Sequence, residues 1–338
     1  MFVWILLLLA TIFSLKILVV DNKTLRRKPS KLYFLLVLLI LCFICSIRDN
    51  SLRDTSLYIE SFTDDETRFE IGYKYLIALL RNISANPHFM FGTIAMITVG
   101  MKLFFFRSYS SYFLPILLLY LTSSYIIDDL IAIRAAIASG LFLWEVKLAI
   151  DKRFLFFILV VFLSSLFHIT SLICLLIWPI TNFKIKLKIF LWLIPISYLF
   201  FLSGRGVGYL ASYIPIPYVQ SLFALYSQDE GIANVFSPTQ IVRSVVCVFI
   251  IWKCRNKTMD IMHESMLKLY CFSISLFVLV TDVGALSARL SALFALSIPY
   301  VLANMRFYLP ALRTNSYRLL MIFFASMFLT SNILNVLN

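Results

Sequence analysis

Charged residues are scarce in this 338-residue chain: Asp, Glu, Lys and Arg make up 14% of it, against 61% hydrophobic residues and a mean hydropathy of +0.92. That balance excludes a soluble globular protein of this size and leaves an integral membrane protein. The alternating ten-residue segments of a membrane barrel are missing, so the spans are expected to be helical. Histidine occurs three times, with no HExxH or cytochrome-type pairing. Neither GxSxG nor a Walker motif is present, and GRGVG at 204–208 lacks the flanking strand and helix that a nucleotide loop needs. Metal, haem and ATP chemistry have no support, and no cofactor is expected. The six cysteines, Cys42, Cys45, Cys174, Cys247, Cys254 and Cys271, lie in or beside apolar runs without metal-ligand or extracellular pairing patterns. Packing is the role that remains for them. No internal repeat, Gly-Ser linker or low-complexity tail marks off a second domain, so residues 1–338 read as a single integral membrane domain.

What the chain has in abundance is apolar segments mostly 15 to 20 residues long, the length that carries a helix across roughly 30 Å of hydrocarbon. Twelve candidate spans follow: 2–20, 32–47, 88–106, 112–127, 130–149, 154–167, 169–181, 187–203, 238–252, 268–283, 286–303 and 317–335. Residues 1–20 lack a basic leading region and a small-residue cleavage site, and are expected to remain as the first span. The net charge of +13 reads as membrane topology rather than as a nucleic-acid surface, because the Lys and Arg are scattered through short loops. Twenty of them, Lys102 and Arg107 included, fall on the side of the first loop, DNKTLRRKPSK, and six on the other. Both termini then face outside. The scheme requires residues 70–87, with three charges, to lie at the outer interface or dip back rather than cross. It also favours two short spans in 154–181, broken around His168. The outer-side loops 48–87 and 204–237 are long enough to carry function.

Arginines inside a span cost roughly 2.5–3.5 kcal/mol at a helix centre and mark function. Arg134 lies five residues after Asp129, Arg243 five after Pro238 and Arg289 seven after Asp282. In spans descending from the outer face, that spacing places all three about 7–10 Å below it. Snorkelling accounts for one arginine near an interface; three at one depth, with Arg48 and Arg205 nearby, form a cationic ring. Guanidinium forks suit a phosphate or diphosphate, and at headgroup level that anion belongs to a lipid.

His168, in FLSSLFHITSL, is either a hydrogen-bonded structural residue or, beside the arginines, a general base or substrate anchor. The loop CSIRDNSLRDTSLY at 45–58 supplies Asp49 and Asp54, with Asp49 to Arg53 and Asp54 to Tyr58 at i, i+4. These carboxylates are placed to hold arginines or contact sugar hydroxyls. Asp64, Asp65 and Glu66 read as a solvated face, and Glu70 joins His168, Asp49 and Asp54 as a candidate base. Tyr58 and the other outer-loop tyrosines read as an interfacial belt or as substrate-binding rings.

The ordered elements IRDNSLRDTSLY at 47–58, RFEIGYKYL at 68–76, the arginine of IAIRAAIASGLFL at 131–143, the histidine of SLFHITSLI at 165–173 and the arginine of LSARLSALFALSIPYVL at 286–302 resemble the EpsG-like group of Wzy-type polysaccharide polymerases. The loop 204–237 matches nothing in that pattern, so Arg205 rests on position alone. The resemblance implies an all-α polytopic membrane protein with about twelve transmembrane helices and the GT-C-like architecture of lipid-carrier-dependent glycosyltransferases. It also implies a bacterial inner-membrane enzyme that joins undecaprenyl-diphosphate-linked oligosaccharide units on the periplasmic face, without nucleotide sugar. Its partners would be that lipid-linked substrate, membrane lipids and a chain-length regulator protein, with no nucleic acid. A flippase for the same lipid-linked units and an O-antigen ligase remain alternatives. Against transport stand the lack of a two-fold repeat and the clustering of cations near one face.

Overall fold

Backbone N–H and C=O groups inside hydrocarbon must be satisfied by the chain itself, and helices do this locally. The computed structural model describes residues 2–48, 52–63, 69–204, 234–281 and 283–337, and every regular element among them is helical. The longer helices are numbered here in chain order: α1 Phe2–Val19, α2 Lys31–Ser46, α3 Thr55–Thr63, α4 Ile71–Ile83, α5 Pro87–Tyr109, α6 Phe113–Thr122, α7 Ile133–Ile150, α8 Phe154–Ser165, α9 Leu187–Leu202, α10 Pro238–Cys254, α11 Ile261–Leu279, α12 Gly284–Ala295, α13 Ser297–Ala303 and α14 Thr314–Leu337. Polar residues in the short loops start several of them. Ser30 caps α2 by accepting from Tyr33 N, and Asn86 caps α5 ahead of Pro87 by accepting from His88 N. Asp260 does the same for α11 through Met262 N.

Among the described residues, four helices, α1, α5, α11 and Thr314–Leu334 of α14, are long and apolar enough to cross a membrane, and two bent pairs raise the number to six. One pair is α6 with the π-helix Tyr125–Ile131, bent by 63°; the other is Leu286–Ala295 with α13, bent by 42°. Helix length and composition therefore pick out fewer spans than the twelve counted from apolar runs. The physical reason is visible in the helices themselves. α2, α8, α9 and Ile169–Asn182 are apolar but short, and α7 has 18 residues yet carries Arg134, Glu145 and Lys147. The break in 154–181 falls at His168, which is extended between α8 and a 3-10 segment beginning at Ile169. α4 has 13 residues, about 20 Å of helix at 1.5 Å per residue and too short to span.

The bundle is built around α5, which packs on α2 and α7, and α11, which packs on α9, α10 and α12. Between them lies the break after α6. Ser123 leaves helical geometry, and Asn332 of α14 covers the freed carbonyls by donating through Nδ2 to Thr122 O at 2.9 Å and Ser123 O at 3.2 Å. The π-helix that follows is pinned by Asp129, whose carboxylate accepts from Thr98 Oγ1 at 2.7 Å, Lys102 Nζ at 2.8 Å and Tyr120 OH at 2.7 Å. Tyr125 OH donates to Leu41 O at 2.7 Å and ties the same turn to α2.

Two expectations are corrected by this network. Lys102 is fully buried in an ion pair with Asp129, so it is not one of the loop cations that set topology. Asp129 is not at a surface either, so a depth for Arg134 counted from it has no interfacial reference. Removing one member of a buried pair strands a charge, at a cost of about 3–5 kcal/mol. Asp129→Ala is expected to lower stability by that order, and Lys102→Met in the same chain to recover part of it, read as unfolding midpoints in detergent.

Candidate functional site

The segment Phe69-Glu70-Ile71-Gly72 makes a corner in which each residue type has a separate task. Glu70 is the N-cap position of α4, yet its side chain makes no capping bond. Its carboxylate turns outward instead, pairing through Oε2 with Arg134 Nη1 and facing His168 Nδ1 from Oε1 at 3.7 Å. Phe69 lays its ring under the same guanidinium, 4.3 Å from the centroid to Arg134 Cζ. The Phe69 ring is held by Tyr58 and Tyr73, with centroids 5.6 Å and 5.3 Å away. Gly72 N donates to Leu166 O at 2.8 Å. A Cβ on Gly72 would stand 2.8 Å from that oxygen and 2.9 Å from Leu166 Cβ, so only glycine lets α4 seat against the turn that carries His168.

Arg134 is the second residue of α7, which restarts after Ala132 breaks from the π-helix. The positive end of the α7 dipole therefore adds to the guanidinium charge. Arg134, Arg289, His168, Tyr58 and Asp54 together line one cavity of about 180 Å³, with Asp128 on its wall. Asp54 sits on this wall in a left-handed backbone conformation, φ 64°, a geometry uncommon outside glycine and tolerated best by Asn and Asp. It immediately precedes α3, which brings Tyr58 around to the same cavity. Arg243 lines a separate cavity of about 260 Å³. Ile127, Asp128, Ala288 and Ala292 are common to both linings.

The sequence-derived site is thus partly gathered and partly redistributed. Arg134, Arg289, His168, Tyr58 and Asp54 converge. Arg243 is next door rather than in the same ring. Glu70 stands behind Arg134 and His168 and is not part of the cavity wall. Arg48 was expected among the anion ligands, but it is 1% exposed and turned inward. It donates from Nη2 to Asp129 O at 2.8 Å and from Nε to Cys45 O at 3.3 Å, and its Cζ lies 4.3 Å from the Phe91 ring centroid. Unsatisfied backbone at the helix break draws it there. Asp49, Arg205 and nearly all of the loop 204–237 lie outside the described residues.

Asp128 and Gly72 escaped the sequence reading as site residues. The signal for Asp128 is an Asp-Asp pair within the apolar run SSYIIDDLIAIR, since carboxylates at membrane depth are rare and functional. The π-helix that carries it is itself a frequent mark of functional sites.

With this geometry in hand, the EpsG family model matches residues 31–338, nearly the whole chain. The chain belongs to the EpsG family. No curated protein and no solved structure matches it. EpsG proteins are a Wzy-like polymerase family, which makes this chain a glycosyltransferase-like polysaccharide polymerase of the multi-pass membrane class. An EpsG polymerase acts on lipid-linked oligosaccharide. The cavity gathers two guanidiniums, an imidazole and a helix N-terminus, groups whose chemistry favours anions.

Partial burial alone would raise the Glu70 carboxyl, but His168 and the Arg134 guanidinium outweigh it and hold the group down at about 2, from an ordinary 4.5. A depressed carboxyl contributes stability that is complete above its unfolded value and is lost as pH falls through its folded value. The stability gap between wild type and Glu70→Gln is therefore expected to be constant from pH 8 to about 5 and to shrink between about 4.5 and 2, as read by thermal unfolding in detergent. Gly72→Ala is expected to push the Leu166 turn away and lower polymer formation by about tenfold or more, since misplacement by 1 Å costs on the order of 10²-fold. The check is the glycan profile of the variant at matched protein level.

Proposed function

We propose that this EpsG-family protein joins undecaprenyl-diphosphate-linked oligosaccharide repeat units into a surface polysaccharide on the periplasmic face of the bacterial inner membrane. The observation that carries the reading is the convergence of Arg134, Arg289 and His168 on one cavity, with Arg134 aimed by Glu70 and Phe69. The proposed architecture is the twelve-span GT-C-like bundle, in which the short and broken helices complete spans together. A chain-length regulator is a proposed protein partner.

In this reaction the growing chain leaves its lipid diphosphate and is transferred to a hydroxyl of the incoming unit. Negative charge grows on the departing diphosphate as the anomeric C–O bond breaks. A guanidinium already oriented by a carboxylate and an aromatic face, as Arg134 is, needs no reorganisation at that moment, and this is where preorganised electrostatics is most effective. Two planar forks are suited to the several oxygens of a diphosphate, and they stay charged when desolvated. His168 adds a hydrogen-bond partner on the same wall. Glu70 keeps Arg134 and His168 in place without touching substrate. Asp54 and Tyr58, which line the same cavity, are assigned to the donor sugar: an acceptor of hydroxyl hydrogen bonds and an aromatic ring.

An O-antigen ligase uses the same donor with a different acceptor, and family membership favours polymerisation. Arg134→Ala and Arg289→Ala are each expected to lower the joining rate about 10²–10³-fold, the usual cost of losing one preorganised donor. In cells the expected glycan profile is single repeat units with little or no polymer. Full-length polymer in both variants would sink the assignment, and joining of lipid-linked units by the purified protein in detergent would exclude pure transport.

A further inference from the structure

The second cavity, of about 260 Å³, has a character of its own. Its volume lies just under the roughly 300–1,000 Å³ usual for ligand pockets, which fits a sugar ring better than a whole repeat unit. Three of its lining residues carry buried polar atoms with no hydrogen-bond partner: Asp128 Oδ2, Gln240 Nε2 and Arg243 Nε. Asp128 is 3% exposed and Gln240 5%. Buried polar atoms are nearly always paired, and each exception calls for an explanation. Arg243 is steadied without using that nitrogen: its Cζ lies 4.8 Å from the Phe328 ring centroid, and its carbonyl accepts from Tyr270 OH at 2.9 Å. A carboxylate, an amide and a guanidinium on the lining of a space bordered by serine and threonine hydroxyls match the alternating acceptors and donors of a sugar.

Asp128 also lines the arginine cavity. Its neighbour Asp129 is saturated by Thr98, Lys102 and Tyr120, so the π-helix is fixed by one carboxylate and presents the other at the junction. Resting on the polymerase reading, we propose that this second cavity is the acceptor-sugar subsite, in which Gln240 and Arg243 hold the incoming unit's terminal sugar and Asp128 is the general base. The proton of the acceptor hydroxyl passes to the Asp128 carboxylate. The hydroxyl oxygen forms the new bond to the donor's anomeric carbon. The bond from that carbon to the diphosphate oxygen breaks, and its electron pair leaves on the diphosphate, beside Arg134 and Arg289. The wall shared by the two cavities is where the two sugars would meet.

The experiment uses purified full-length protein in detergent, undecaprenyl-diphosphate-linked units extracted from a strain lacking it, and undecaprenyl diphosphate as a binding probe for the donor site. Asp128→Asn is expected to slow joining about 10²–10⁴-fold, the range for a lost general base, while undecaprenyl diphosphate binding stays at the wild-type level. Gln240→Ala is expected to raise KM for the lipid-linked unit about tenfold with kcat largely kept. Arg134→Ala is expected to lose both joining and undecaprenyl diphosphate binding. Wild-type joining in both Asp128→Asn and Gln240→Ala, with joining lost in Arg134→Ala, overturns the subsite and leaves the polymerase standing. Loss of undecaprenyl diphosphate binding in Asp128→Asn also overturns it, because the residue then belongs to the donor site. A wild-type protein that joins nothing overturns both readings.

Discussion

A helix broken inside an apolar bundle leaves carbonyls and N–H groups that nothing in hydrocarbon will satisfy, and this protein is organised around meeting that demand between Thr122 and Ile133. Asn332 takes two of the carbonyls, Arg48 takes the carbonyl of Asp129, and the Asp129 side chain is neutralised by Lys102 and bonded to Thr98 and Tyr120. The result is a rigid irregular turn in a region where irregularity is costly. It determines where α7 restarts, and so where Arg134 stands. It also separates two adjacent aspartates, one consumed by structure and one left at a cavity wall.

The corner at Phe69 to Gly72 performs the complementary task. The broken turn delivers Arg134 from within, while the corner supplies the aromatic face and carboxylate that orient it, and Gly72 brings the His168 turn close enough to share that carboxylate. A residue such as Glu70, which looks like a candidate base in a list of carboxylates, is better placed as an electrostatic brace. An ion pair with a guanidinium makes a carboxylate a poorer proton acceptor, as its depressed pKa shows.

Much of this was legible in the sequence because intramembrane charge and motif order are local signals. Arg134, Arg289 and His168 stand out against apolar neighbours, and RFEIG is a short contiguous string. The failures share a different cause. Lys102 and Arg48 look like loop and ligand cations until their partners are known, and those partners lie 27 and 81 residues away. Arg243 matches the other arginines in spacing from a helix start, but spacing along one helix says nothing about which cavity its face lines. The helical class and the apolar core followed from composition, whereas breaks such as the 63° bend after α6 depend on long-range capping by Asn332 that no local pattern encodes.

The corner's reach along the chain has a consequence for biogenesis. Glu70 meets its arginine partner 64 residues later in the sequence, which at roughly 5–20 residues per second is a delay of about 3 to 13 s during synthesis. His168 arrives later still. Throughout that interval α4, too short to cross the bilayer, has its glycine notch empty and its carboxylate without that arginine, with α3 and the emerging α5 as its neighbours. The site is therefore closed by late, non-local contacts. A polymerase built this way has this corner complete only after the chain has been made as far as His168.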